Sequence, residues 1–349
     1  VIEDRLIQHL RTRGKDGLNR LRDRARDISK TLDMVEEFAK LNHIVSAILS
    51  TKPAKGLKSP AAIALTLGEP YDSGRIQLFN LLIGFLRRCT FQERMEMHND
   101  YEAYRNMAFW ESYFSNFIEG TRFVVEEAEA IIYGGQIIEN RTGDSHDILG
   151  TFKICGDIHE MKQLPRDENH LVELLRFRHA NVLAGRPDKN PGAFKTKANR
   201  AGDTLFVTPE QVVGTLKEGF KLMTALEEPL ARATYIMFLI TEVHPFDDGN
   251  GRIARIMMNA ELVAGNRTKI IIPTVYRQDY LLNLRMLSRQ NKTRGFVRMM
   301  DRVHAFSQWL EPKGRESVHE QLKVSNALKE SEEASLQFSS LSKSMIPNT

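Results

Sequence analysis

Apolar residues recur at three- and four-residue steps through most of the chain, the pattern of helices that bury one face. The stretches "LDMVEEFAKLNHIVSAIL" (32–49), "RIQLFNLLIGFL" (75–86) and "AYRNMAFWESYFSNFIEGTRFVVEEAEAII" (103–132) carry it. So does the segment around 165–184. Loops are predicted at "TKPAKGLKSP" (51–60), "NRTGDSH" (140–146) and "AGRPDKNPG" (184–192), where Gly, Pro and polar residues cluster. "AFKT" and "TLFV" flank "KANRAGD" and predict a short β-hairpin turned at Ala201–Gly202–Asp203. Thr208, Pro209 and Gln211 then make a capping-box start for a helix running to about Leu226. A helix opening near Pro229 continues through the apolar "YIMFLITEV" to His244, and "IARIMMNAELVAGN" (253–266) forms another, closed by Gly265–Asn266. Helices near 277–288 and 294–310 complete the body. Beyond Glu311 the chain is serine-rich with mixed charge, which predicts a frayed tail with at most one amphipathic helix. No internal repeat is present, and the expected fold class is all-α with one small hairpin.

Composition narrows the class without changing the fold. A chain of 349 residues, 42% hydrophobic and 27% charged, can build a real core. No apolar run reaches the ~18–20 residues of a membrane span. The opening "VIEDRLIQHL" lacks the apolar centre of a signal peptide. Cys89 and Cys155 are the only cysteines and stand apart from other metal-ligand types, which favours buried thiols in a reducing compartment and a cytoplasmic location. The net charge of +4 is concentrated in residues 1–30, which hold nine Lys/Arg against five Asp/Glu. The stretch "RLRDRARD" could touch nucleic acid or an acidic partner, but its interleaved acids and lack of aromatics favour a solvated helix face.

The chemistry is concentrated in "HPFDDGNGR" (244–252), which follows an apolar helix directly. A plain helix-to-helix turn would account for each residue singly but poorly for the set. A calcium loop counted from Asp247 places Gly249, Gly251 and Met258 where ligands belong, and fails. A Gly-Lys-Ser/Thr phosphate loop is absent, and "HEMKQ" (159–163) lacks the second histidine of a zinc-protease helix. An anion nest remains: Gly249, Asn250 and Gly251 let backbone N–H groups converge at the start of a helix whose dipole favours phosphate. Arg252 and Arg255, three apart on its first turn, can chelate phosphate oxygens. Asp248 beside them would repel phosphate unless a cation such as Mg²⁺ lay between. His244 then faces the phosphoryl group as a general base.

"HPFDDGNGRIAR" (244–255) matches every defining position of the Fic motif, and the chain resembles the Fic family over roughly 103–305. The resemblance implies a Fic-type helical core with a hairpin flap, preceded by an N-terminal helical region. It divides the chain into 1–100, a Fic domain at 101–310 and a polar tail at 311–349, with an upstream inhibitory helix at about 110–132 and the flap at about 192–207. Family members usually transfer AMP from ATP to a Ser, Thr or Tyr hydroxyl of a target protein. Carried onto this chain, His244 deprotonates the hydroxyl and Asp248 holds Mg²⁺. Gly249, Asn250, Gly251, Arg252 and Arg255 bind the phosphates, while Phe246 anchors the loop and Asp247 is a solvated acid. The flap residues Phe194, Lys195, Thr196, Leu205 and Phe206 would hold the target by strand addition; Lys195 stands where many relatives have Arg.

"SNFIEG" (115–120) matches the family's inhibitory pattern, with Ser115 and Glu119 on one helix face. The resemblance implies that Glu119 pairs with Arg255 and blocks the γ-phosphate position, restraining the enzyme in cis. Tyr280 falls where relatives carry a tyrosine near the adenine, with packing as the equal alternative. His179 and His304 read as core or surface residues, and the paired methionines as core filler. A homodimer is compatible with apolar helix faces in 32–86. The leading function is an Mg²⁺-dependent protein adenylyltransferase. Its alternatives are removal of AMP, with Glu119 positioning water, and a regulatory module binding DNA or a partner through the basic N-terminal helices. No helix-turn-helix pattern supports the last, so a nucleic-acid partner is disfavoured.

Overall fold

The computed structural model describes residues 2–49, 57–66, 68–97, 100–312, 314–339 and 344–347. The chain divides into two units, residues 1–73 with 210–215 and residues 74–209 with 216–349. In the first, α1 (Ile2–Thr31), α2 (Val35–Ile48) and α3 (Pro60–Thr66) pack on one another. Gly14, at φ 69°, interrupts α1 in a conformation that a side chain would resist. Leu6, Ile7, Leu18, Val45 and Ala62 are buried between the helices. The Glu3 carboxylate accepts hydrogen bonds from the backbone N–H groups of Lys58 and Ser59 and so caps the entry to α3. Most of the basic "RLRDRARD" face is exposed or half-buried. Of the loop expected at 51–60, residues 51–56 lie outside the described residues; Pro60 already begins α3.

The second unit opens with α4 (Ser73–Leu86, from Gly74 on) and α5 (Tyr101–Ile118), then α6 (Val125–Ile132), α7 (Thr142–Cys155), α8 (Ile158–Met161) and α9 (Glu168–Val182). A two-residue ladder follows, β1 (Arg200–Ala201) antiparallel to β2 (Thr204–Leu205). Next come α10 (Val212–Met223, of which 216–223 belong here), α11 (Pro229–Val243), α12 (Asn250–Ala264), α13 (Arg277–Gln290), α14 (Thr293–Trp309) and α15 (Arg315–Val324). The fold is all-α with a small hairpin. Helices α11 and α12 lie side by side at its centre, and nearly every residue of both is buried. A helix apolar all round belongs in such a position. Phe79 of α4 meets Tyr235 and Phe238 of α11 edge-on, at 6.2 and 6.1 Å. Trp110 of α5 is buried among aromatic rings, 5.5 Å from His319 of α15. None of the described helices is long and apolar enough to cross a membrane.

Four expectations change. The periodic stretch 103–132 is two helices: α5 stops at Ile118, Gly120 takes φ 97°, and α6 starts at Val125. The hairpin is shorter than its flanks suggested, because residues 194–197 and 206–207 form no strand and only 200–201 pair with 204–205. The helix expected to run from Pro209 to Leu226 instead opens with a 3₁₀ turn at Pro209–Gln211 and ends at Met223. The tail is docked: Val318, Leu322, Ala327 and Leu336 are buried, Phe338 packs on Phe306 and Trp309, and Met345 bridges to Thr90. Scattered apolar residues can order a polar tail when each finds a core position. Cys155 is buried, whereas Cys89 is only half-buried.

Candidate active site

Helix α11 ends at Val243 because His244 turns left-handed, at φ 53°, ψ 60°, and Pro245 cannot continue the helix. Among the described non-glycine residues with positive φ, the others are all Asn or Asp. Holding a histidine there costs about 1 kcal/mol or more, which the surrounding contacts must supply. The imidazole Nδ1 lies 3.2 Å from the Thr241 carbonyl, an acceptor, so Nδ1 carries the proton and Nε2 keeps its lone pair. The ring lies flat on Phe206, with centroids 3.8 Å apart. Burial first, and Lys195 nearby, push its pKa down to about 4, so the ring is neutral near pH 7.

The loop from Pro245 to Gly249 is tied internally. Asn250 Oδ1 accepts from the Phe246 N–H at 2.8 Å, and its Nδ2 donates to the Phe246 carbonyl at 2.9 Å. Asn250 therefore ties its side chain to the loop backbone. Phe246 is fully buried and stacks on His179 at 3.7 Å. His179 Nε2 donates to the Asp248 carbonyl and Nδ1 accepts from the Gly192 N–H. Gly249, at φ 73°, supplies the left-handed entry into α12. Asp247 is exposed and accepts from Asn190.

The two motif arginines diverge. Arg252 is buried and paired with the buried Asp147 of α7 at 2.6 Å, with Asn116 and Asp248 each at 3.4 Å. It is not among the residues that line the cavity beside His244. Arg255 does line it. Its Nε donates to Ser115 Oγ (2.9 Å), and one terminal nitrogen donates to the Ser115 carbonyl (2.8 Å) and to Glu119 Oε1 (2.6 Å). Arg277 meanwhile binds the Ile118 carbonyl, so two cations close the C-terminal end of α5. Glu119 lies at that end, and a β-carbon on Gly251 would run into its carboxylate. The carboxylate thus lies against the first turn of α12, where the helix favours an anion.

The cavity, about 390 Å³, is bounded by His244, Glu119, Gly251 and Arg255 on one side, by the hairpin residues Ala201, Gly202, Thr204 and Phe206 on another, and by the α13 face that includes Tyr280 and Arg289. Tyr280 is buried in its wall with Leu281 beside it. Arg289 Nε donates to Thr204 Oγ1, and Arg75 joins the Leu205 carbonyl to Glu242. The expected target-facing flap residues divide. Thr196 and Leu205 are exposed, but Phe194 leans on Phe246, Phe206 stacks on His244, and Lys195 is buried. Those side chains fill space under the hairpin that a two-residue ladder cannot cover. Burial holds the Lys195 pKa down at about 8.

Asp248 is half-buried; its Oδ1 accepts from the Gly249 N–H at 2.6 Å and lies 3.4 Å from Arg252. No cluster of three or more His, Cys, Asp or Glu occurs among the described residues. The lone Asp248 carboxylate is the kind of single donor that Mg²⁺ takes where phosphate oxygens and water complete its shell. Sequence reasoning missed Asp147, Asn199 and the loop-holding role of His179; a carboxylate on the apolar face of "DILGTFKIC" was the one available signal for Asp147.

The Fic/DOC family model matches residues 167–262. That segment carries the His244 loop and both motif arginines, so the match to the family falls on the site itself. Among curated proteins, the chain is similar to protein adenylyltransferase fic-1 of Caenorhabditis elegans, 27% identical over 191 residues, covering 52% of this chain and 36% of that protein. It is also similar to protein adenylyltransferase Fic of Drosophila persimilis, 24% identical over 204 residues, covering 57% and 39%. The matched part is thus well under half of either relative. Two solved structures share the fold. A Fic-domain signalling protein of Bacteroides thetaiotaomicron has TM-score 0.54 at 17% identity, covering 69% of this chain and 96% of that one. Fic-1 residues 134–508 of C. elegans has TM-score 0.51 at 18% identity, covering 86% and 87%.

Proposed function

We propose that the protein transfers AMP from ATP to a Ser, Thr or Tyr hydroxyl of a target protein and is restrained by Glu119. One observation carries this: a neutral imidazole with its Nε2 lone pair available shares a cavity with Arg255 and the first turn of α12. The target hydroxyl would give its proton to His244 Nε2 as its oxygen bonds to the α-phosphorus; the bond to the bridging oxygen breaks and pyrophosphate leaves. Arg255 and the α12 N–H groups would take phosphate charge. Asp248 would hold Mg²⁺, which neutralises phosphate charge when bound. The names of the curated relatives, protein adenylyltransferases, support the reaction class.

The restraint follows from charge. Glu119 places a carboxylate against Arg255 and Gly251, so a phosphate entering there meets an anion and an arginine already paired. Label transfer from ATP marked at the α- or γ-phosphate tests both parts, using wild type, Glu119→Gly, and Glu119→Gly combined with His244→Ala. The expected result is α-label alone on protein, rising in Glu119→Gly and falling by ~10²–10⁴-fold in the double variant. If Glu119→Gly transfers nothing, the restraint fails and AMP removal becomes the reading to test. The pH profile adds a check. His244 must be deprotonated to accept a proton and its pKa lies near 4, so kcat/KM should stay level from pH 7 down past the ordinary histidine value of 6.5. An acid limb centred at 6.5 would contradict the burial described.

A further inference from the structure

We propose that Lys195 is a positioning residue for His244, its buried ammonium and backbone clamping the left-handed turn that presents the imidazole; this rests on the adenylyl-transfer reading. The clamp is made of five hydrogen bonds and one ring contact. The Lys195 N–H donates to the Pro245 carbonyl at 2.9 Å, one residue after His244. Its Nζ donates to the Val243 carbonyl, one residue before, at 3.4 Å, and to Asn199 Oδ1 at 2.6 Å. Asn199 Nδ2 in turn donates to the Phe246 carbonyl at 3.0 Å. The Phe206 N–H donates to the Asn199 carbonyl, and the Phe206 ring lies on the imidazole.

Carbonyls on both sides of His244 are therefore held from one short segment, 195–199, while Phe206 fixes the ring's face and Thr241 its edge. An ammonium fits this task because it offers three donors and can serve two acceptors from one point. Lys195 is 3% exposed, so a protein target could not reach its side chain without displacing the segment. The charged or polar groups around His244 from the packed elements include Lys195, Glu119, Asp248, Arg255, Glu242 and Tyr280, with Thr204, Thr241, Arg285, Ser288 and Arg289 also lining its cavity. Of these, Lys195 bonds the backbone on either side of it. A target-binding lysine and a positioning lysine differ in what their loss changes: the first raises KM for the protein target, the second lowers kcat.

The test compares Lys195→Met, Lys195→Arg and Asn199→Ala, each in the Glu119→Gly background. Transfer kinetics, melting temperature and nucleotide affinity are measured together, with ¹⁵N spectra of the His244 imidazole assigned by His244→Ala. Lys195→Met should lower kcat on the order of 100-fold with KM within about threefold, as a roughly 1 Å misplacement of a reacting group would. Its imidazole spectrum should move from the Nδ1-protonated tautomer toward a mixture. Lys195→Arg should recover part of the rate, and Asn199→Ala should show a smaller loss of the same kind. Unchanged kcat with a raised target KM, or an unchanged tautomer in Lys195→Met, overturns the inference. If Lys195→Met does not fold, Asn199→Ala carries the same readouts. If Glu119→Gly itself transfers no label, the transfer reading fails, and the tautomer comparison still decides the clamp.

Discussion

Arg252 and Arg255 sit three residues apart on one helix and live in different surroundings. Arg252 is buried against Asp147, itself 2% exposed and also held by Arg186. Arg255 is equally buried, but its counter-ion Glu119 has a side chain 31% exposed. The first pair joins α12 to α7 and has no exit. The second can open toward solvent without stranding Arg255, because Ser115 continues to hold two of its nitrogens. The helix thus carries one arginine that frames the site and one whose partner can be exchanged.

The largest effect that would test this contrast is on the frame. Asp147→Ala leaves the buried Arg252 with only its longer 3.4 Å ion pair to the partly exposed Asp248, and denaturant unfolding should show a loss of about 3–5 kcal/mol. A loss under about 1 kcal/mol would place Arg252 with Arg255 and break the comparison. Ser115→Ala removes one neutral acceptor from Arg255 and should cost about 1 kcal/mol. It should also weaken nucleotide binding in the Glu119→Gly background, since Arg255 loses a constraint there. Smallest of all, Glu119→Gln should change stability by less than about 1 kcal/mol, the range of partly exposed pairs. A larger loss would mean that Glu119 is a structural tie.

The His244 loop was legible because its chemistry is contiguous: His244, Asp248, the glycines and both arginines fall within twelve positions. The approach of Glu119 to Arg255 was expected through the family resemblance, and the structure places them 2.6 Å apart. The contacts that crossed the chain were not legible. Nothing in "AFKTKANR" shows that Lys195 turns inward, since the hairpin pattern assigns alternating faces and those residues form no strand. Asp147 reads as one acid among several until α7 is packed on α12. The break between α5 and α6 was hidden because apolar spacing continues across Gly120, whose φ of 97° no periodicity reports.

Trp110 lies on α5, one helical turn and a residue before Ser115, and the chain holds only one other tryptophan, Trp309 on α14. The helix that delivers Glu119 therefore carries its own chromophore. Trp110's ring is 1% exposed, its N–H has no hydrogen-bond partner among the described residues, and His319 stands 5.5 Å away. An indole so placed emits toward the blue, and water or an altered neighbour shifts or dims it. With Trp309 replaced by Phe, the emission of a single residue would follow the end of α5 in real time, without a label and without any knowledge of the target.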